Sequence, residues 1–219
     1  MNNPWLTLPA KPPFVLADDQ QSILDFNTKA KPEHSIHLEG VPQPYLGNPS
    51  ARIILLNLNP GFSQDEIRFQ QGNEYFVQMS RANLVHESLE YPFYLLDTRI
   101  YASLGSVWWR KKLKPLLNLY EVKRIANELC VIEYFPYASQ RFGCNISIPS
   151  QRYSFSLVHE AMRRNALIIQ MRSRRLWHNA VPGLGSYQHY YKLNSPQNTV
   201  ISENNCPTGY PEILNILGC

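Results

Sequence analysis

Four short apolar runs predict the strands of a sheet. They lie at 53–56, 129–135, 166–171 and 189–193. The first run does not alternate between polar and apolar positions, so we expect cover on both faces, as in a parallel α/β sheet. Predicted helices at 19–29, 64–71, 108–117, 153–164, 172–181 and 211–217 alternate with the strands. The pattern predicts an α/β protein, a three-layer α/β/α sandwich with a central, mainly parallel four-stranded sheet.

The organisation along the chain indicates one domain over residues 1–219. Residues 1–50 are rich in proline and polar residues, which predicts an N-terminal arm or wrap packed on a core formed by 51–219. A hydrophobic content of 44% is enough for a substantial core. No apolar run approaches the roughly 20 residues of a membrane span, and the first residues lack a signal-peptide pattern. We therefore expect a soluble, cytoplasmic protein with no membrane partner, and a monomer.

Composition and residue spacing give no indication of a metal site or of a common nucleotide-binding motif. The four cysteines, at 130, 144, 206 and 219, are too scattered for a zinc or iron–sulfur site, and we expect all four to be small buried hydrophobic residues. The six histidines show no metal spacing, so no metal and no cofactor are predicted. Neither a dinucleotide fingerprint nor a phosphate-binding loop is present. The net charge of +4 permits an anionic partner without identifying one.

The turn after the first strand is the strongest candidate for chemistry. Asn59, Pro60 and Gly61 end the strand abruptly, at the edge of a parallel sheet where ligands bind. Pro60 fixes φ, and Gly61 permits a conformation or a close approach that a side chain would block. We expect the turn to present Asn59 to a ligand above the sheet. The alternative is an ordinary Pro-Gly turn of an α/β protein.

Three loops at predicted strand ends carry a family resemblance. They are Asn59-Pro60-Gly61, 133–139 and 194–199, and in order and type they resemble those of the uracil-DNA glycosylase superfamily over roughly residues 45–217. Asn59-Pro60-Gly61 is similar to the motif of the mismatch-specific branch. The resemblance implies a glycosylase fold, a water-positioning role for Asn59, a base-reading residue on the middle strand and a late loop that enters the duplex. The usual histidine of that late loop is absent here.

Glycosidic hydrolysis needs an oriented water and donors near the departing base. Asn59 orients water but has no titratable acceptor, so either the reaction relies largely on stabilising the leaving base or Asp65 or Glu66 supplies the charge. The alternative for Asp65 and Glu66 is that both complement the dipole of the helix that begins there. Glu133 replaces the asparagine that often reads uracil, and a carboxylate accepts from the N4 amine of cytosine. Glu133 therefore indicates a cytosine-derived base, unless it points away and pairs with an arginine. The other candidate base-binding residues are Leu58, Phe62 and Tyr134.

Basic and polar segments are candidates for DNA contact. The arginines at 172, 174 and 175 and the basic helix 108–117 are candidate phosphate contacts, although a charge run is more often a solvated face. The late loop supplies the candidate insertion residues Asn194, Ser195, Pro196, Gln197 and Asn198.

The first functional hypothesis is a metal-free, monofunctional DNA glycosylase. It would act on double-stranded DNA with the target base flipped out, remove a modified cytosine or a deaminated pyrimidine, and leave an abasic site. Base excision of hypermodified cytosine in phage DNA, an antiphage defence, fits Glu133, and ordinary uracil or mismatch repair is the alternative within the family. A non-catalytic reader of modified DNA and a hydrolase of free nucleosides are hypotheses of other classes.

Overall fold

Five strands form one mixed sheet in the computed structural model, which describes residues 1–143 and 146–218. The spatial order is β1-β3-β2-β4-β5, and β1 is antiparallel to β3 while the other neighbours are parallel. The strands are Tyr45–Leu46 (β1), Ile53–Asn57 (β2), Leu129–Glu133 (β3), Leu167–Gln170 (β4) and Tyr190–Lys192 (β5).

The α/β prediction is confirmed, but the count of four strands is wrong. The four predicted apolar runs form β2 to β5, all parallel, with β2 in the centre. The fifth strand, β1, has two residues, and it adds an antiparallel edge next to β3 through the pairs Tyr45 with Ile132 and Leu46 with Val131. Every residue of β2, β3 and β4 is buried, as expected for strands covered on both faces.

Helices cover both faces of the sheet. Ile54, Leu56 and Ile132 of the strands share one core with α1, α6 and α7, while Ile53 and Leu55 share the other with α3, α4, α5 and α8. The helices of the described residues are Ala17–Asn27 (α1), Gln64–Gln71 (α2), Glu74–Leu84 (α3), Leu104–Leu117 (α4), Val122–Glu128 (α5), Gln151–Arg163 (α6), Arg174–Ala180 (α7) and Tyr210–Gly218 (α8).

Short polar side chains set the starts of three helices on the second face. Ser63 accepts from the backbone N–H of Glu66 at 3.1 Å, Asn73 from that of Phe76 at 2.9 Å, and Ser103 from that of Ser106 at 3.3 Å. Each satisfies one of the amide groups that a helix start leaves without a partner. These caps fix the residues at which α2, α3 and α4 begin.

The N-terminal segment contributes directly to the core. Trp5 is 1% exposed and packs edge-on against Tyr137 with ring centroids 6.0 Å apart. Asp19 of α1 is buried, where it accepts from the Tyr137 hydroxyl at 2.8 Å and from the Ser150 backbone N–H at 3.0 Å. Residues from the first fifty therefore lie in the same core cluster as strand residues.

Two smaller expectations concern cysteines and membrane spans. Cys130 and Cys206 are fully buried, as predicted, and Cys144 and Cys219 lie outside the described residues. In the described part of the chain, no helix is both long and apolar enough to cross a membrane.

Candidate functional site

The strand order gives a topological switch point at the carboxyl ends of β2 and β4, and we call the space outside these two strand ends the crevice. After β2 the chain runs through α2 into α3, whose Phe76 packs on one face of the sheet, and after β4 it runs into α7, whose Trp177 packs on the other. Neighbouring strands whose chains depart to opposite faces form a topological switch point, which is where open α/β sheets bind ligands. The two ends are tied together by the Met171 backbone N–H, which donates to the Leu56 carbonyl at 2.9 Å.

A buried polar pair lies beside this crevice. Asn57 and Glu133 are the last residues of β2 and β3 and are partners in the register, and their side chains are 5% and 3% exposed. The Asn57 amide donates to one Glu133 carboxyl oxygen at 3.0 Å. Two buried oxygens, Asn57 Oδ1 and Glu133 Oε2, have no hydrogen-bond partner. Since buried polar atoms are nearly always paired, these two oxygens indicate a place for a ligand.

The environment of Glu133 favours its neutral form. Burial raises the pKa of its carboxyl to about 8, against the smaller opposing effects of the hydrogen bond from Asn57 and the charge of Arg172. The carboxyl is therefore mostly protonated at pH 7 and carries one donor and one acceptor. A ligand that brings a donor would favour the ionised form, and a ligand that brings an acceptor would favour the neutral one.

Asn59 is held in a fixed orientation by its amide nitrogen. The nitrogen donates to the Pro60 carbonyl and to the Ser139 hydroxyl, both at 2.9 Å. The loops after β2 and β3 are joined at the same place, since the Phe62 backbone N–H donates to the Ser139 carbonyl at 3.2 Å. With both amide hydrogens engaged, the oxygen of this half-buried side chain accepts no hydrogen bond from residues 1–143 and 146–218, and a free acceptor is what a water-positioning residue needs.

The structure shows neither a conformation nor a contact with another protein atom that requires glycine at position 61, and the close approach of a ligand stays a prediction. Its φ is not positive, and a Cβ added there would meet nothing within 4 Å. Open space above Gly61 therefore faces solvent or a ligand. Leu58, half-buried, accepts from the Phe135 backbone N–H at 2.9 Å, and Phe62 is stacked on His37 with ring centroids 3.3 Å apart, so one face of the Phe62 ring is already covered.

The two acidic candidates have other partners. Asp65 is 74% exposed and pairs with Arg68 one turn further along α2. Glu66 accepts from the Ser103 hydroxyl at 2.9 Å and from the Leu104 backbone N–H at 2.6 Å, and so it caps the start of α4. In the described residues neither carboxylate hydrogen-bonds to Asn59. The catalytic role of Asp65 stays a prediction.

Tyr134 and the arginine cluster occupy different surroundings. Tyr134 is half-buried between Phe155 and Trp177, with ring centroids 5.4 and 5.6 Å away, on the face opposite Glu133. Arg172 is half-buried beside the crevice, whereas Arg174 and Arg175 are exposed at the start of α7. Only Arg172 is therefore brought close to the Asn57–Glu133 pair.

The late loop follows β5 and is braced by one asparagine. The Asn205 amide donates to the carbonyls of Asn198 and Val200 at 2.6 and 2.9 Å, and its oxygen accepts from the Ser195 backbone N–H at 2.8 Å. The exposed positions of this loop are Asn194, Pro196, Gln197 and Asn198. Their insertion into a duplex stays a prediction.

Sequence reasoning missed Asn57 and Ser139. Asn57 sits at the end of an apolar run, and its importance follows from the strand register that pairs it with Glu133. A polar residue at the last position of a fully buried strand is the signal that could have identified it. Ser139 was assigned only to a loop, and its contact with Asn59 spans 80 residues of sequence.

Comparisons with protein-family models, curated proteins and solved structures found no match to this chain. Within residues 1–143 and 146–218, no group of three or more His, Cys, Asp or Glu side chains is arranged to hold a metal ion. The chemistry of the site therefore has to be argued from the contacts of its own residues.

Proposed function

We propose that this protein is a DNA glycosylase that removes a flipped-out, cytosine-derived base and leaves an abasic site. The observation that carries the proposal is the position of Asn59, whose amide nitrogen is fixed and whose oxygen has no hydrogen-bond partner among the described residues, on the same edge of the sheet as the buried Asn57–Glu133 pair. Asn59 would position the water, and the Asn57–Glu133 pair would contact the base.

The two unpaired oxygens support cytosine as the parent base. When Glu133 is ionised, both Asn57 Oδ1 and Glu133 Oε2 are acceptors, and the exocyclic amine of cytosine supplies two hydrogens. The O4 atom of uracil would instead face two acceptors unless Glu133 took up a proton. Removal of a modified cytosine, as in defence against phage DNA, follows as the more specific form of the proposal.

The finer fold proposal is a uracil-DNA glycosylase-like arrangement. Four parallel strands between two helical layers support it, together with the Asn-Pro-Gly turn at the end of the central strand. The antiparallel edge strand β1 is then an addition to that arrangement.

A non-catalytic reader of modified bases is the second candidate. The exposure of Asp65 and the capping role of Glu66 favour it, because neither candidate base hydrogen-bonds to Asn59 in the described part of the chain. In a glycosylase with this site, most of the acceleration would have to come from stabilising the departing base and orienting the water.

An abasic-site assay separates the two candidates. Wild type, Asn59→Ala and Glu133→Gln would be incubated with duplexes containing uracil, a thymine mismatch, hydroxymethylcytosine or glucosylated hydroxymethylcytosine, followed by alkaline strand scission. We expect cleavage of a cytosine derivative that is lost in Asn59→Ala and reduced in Glu133→Gln, with duplex binding retained. Binding without an abasic product on any duplex would overturn the glycosylase proposal and favour the reader, and unchanged activity of Glu133→Gln would overturn the base-reading role.

A further inference from the structure

Two cations converge on one tryptophan beside the crevice. The ammonium of Lys112 lies 5.3 Å from the centre of the Trp108 ring, and the guanidinium carbon of Arg172 lies 5.7 Å from it. Lys112 and Trp108 belong to α4, whereas Arg172 follows β4, and its backbone N–H donates to the Leu56 carbonyl at 3.4 Å. Side chains from two distant parts of the sequence therefore form one positively charged cluster.

The cluster has no anionic partner of its own. In the part of the chain that the structure describes, neither Lys112 nor Arg172 forms an ion pair with a carboxylate, and the buried Nε of Arg172 lacks a hydrogen-bond partner. Lys112 is only 8% exposed. Its pKa is lowered by burial and then by the charge of Arg172, so the two cations destabilise each other. Glu133 is near enough for Arg172 to act on its pKa, but burial keeps that carboxyl mostly neutral at pH 7.

A bound anion would remove these unfavourable features together. It would supply an acceptor for the unpartnered guanidinium nitrogen and would offset the repulsion between two half-desolvated cations. Guanidinium and ammonium groups in combination are the usual ligands of phosphate oxygens. The left-handed backbone of Ser173, at φ 58°, turns the chain directly after Arg172, so α7 departs to the opposite face while Arg172 stays beside α4.

We propose that Lys112 and Arg172 form a phosphate-binding site beside Trp108, at the rim of the crevice that contains Asn57 and Glu133. That the phosphate belongs to a nucleic-acid strand rests on the proposed function, whereas the affinity for phosphate does not. The site holds the backbone next to the nucleotide whose base reaches the Asn57–Glu133 pair.

The first experiment titrates the full-length protein with inorganic phosphate and follows tryptophan fluorescence, with Trp108→Phe to identify the reporter. Lys112→Gln and Arg172→Gln are compared with Lys111→Gln, which changes an exposed lysine at the adjacent helical position. Lys112→Met, which keeps the packing of the aliphatic stem, is the second variant if Lys112→Gln does not fold. We expect saturable quenching in wild type and Lys111→Gln, and at least tenfold weaker binding in the Lys112 and Arg172 variants.

The second experiment measures the affinity for duplexes with a modified cytosine between 50 and 200 mM salt. It compares Asn59→Ala alone with Asn59→Ala combined with Lys112→Gln or Arg172→Gln. Loss of one phosphate contact lowers the slope of log K against log salt by about 0.9. Phosphate binding that is unchanged by both substitutions, or absent from wild type, would overturn the site. Phosphate binding without any DNA binding would leave the site standing and overturn the proposed function. DNA binding with a salt slope that neither substitution changes would overturn the contact of this site with the DNA backbone and leave the proposed function standing.

Discussion

Replacing Glu133 by glutamine should remove a pH dependence from the stability of the fold. The pKa of this carboxyl is about 8 in the folded protein and 4.5 in an ordinary setting. Between these values the folded state binds one proton more than the unfolded state, so stability falls as pH rises through the window. Integrated from pH 6 to pH 8, the loss is about 2 kcal/mol. Glutamine is neutral throughout and keeps an acceptor for the Asn57 amide.

Urea denaturation of wild type and Glu133→Gln at pH 6, 7 and 8 measures this effect. We expect the stability of the variant relative to wild type to increase by about 2 kcal/mol from pH 6 to pH 8. Glu121→Gln, which changes an exposed glutamate, should follow the wild-type profile. Burial lowers the pKa values of His86 and His178, but their contribution is common to all three proteins and cancels in the difference. Parallel profiles for wild type and Glu133→Gln would refute a neutral, buried Glu133.

Three further substitutions test the contacts around the crevice. Ser139→Ala removes the 2.9 Å partner of the Asn59 amide and should lower the single-turnover rate of the proposed base excision about tenfold with little change in duplex affinity; an unchanged rate would show that this hydrogen bond does not orient Asn59. Trp177→Phe removes the indole donor to the buried Asn57 carbonyl at 2.7 Å and should cost about 1–3 kcal/mol in urea denaturation, with a loss under about 0.5 kcal/mol contradicting the assignment. Asp65→Asn alters an exposed ion pair, so stability should stay within about 0.5 kcal/mol; for the proposed base excision, a rate within about twofold of wild type would contradict the predicted catalytic role of Asp65, and a much larger fall in rate would support it.

The parts of the fold that could be predicted are those with a strong local signal. The apolar runs of β2, β3 and β4 are buried on both faces, and such runs are recognisable without tertiary information. The strand β1 has two residues, too few to show any periodicity, and it exists because β3 offers an edge to pair with. The helices α3 and α5 were also missed, although Asn73 before Glu74 is a recognisable start signal for α3.

The candidate site depends more on tertiary pairing than the fold does. Asn59 was predicted because a Pro-Gly turn after an apolar strand is a local pattern. Asn57 acquires its role from the register with Glu133, and Arg172 from its approach to α4, and neither relation can be obtained from spacing along the chain. Lys112 is an intermediate case, because it shares the inward face of α4 with Trp109, Leu113 and Leu116 at helical spacing.

A contribution to stability does not explain why polar and charged side chains lie at the crevice. Buried charged groups are often replaced by apolar residues with no loss of stability, or with a gain. Here β2 and β3 are apolar until their last residues, where Asn57 and Glu133 leave two oxygens without partners among the described residues. Two cations lie nearby, and neither forms an ion pair with a carboxylate in the same part of the chain. The fold therefore bears an unfavourable polar cluster at the point where an open α/β sheet binds its ligand. A ligand with donor groups for the oxygens and an anionic group for the cations removes both costs, and a nucleotide has both.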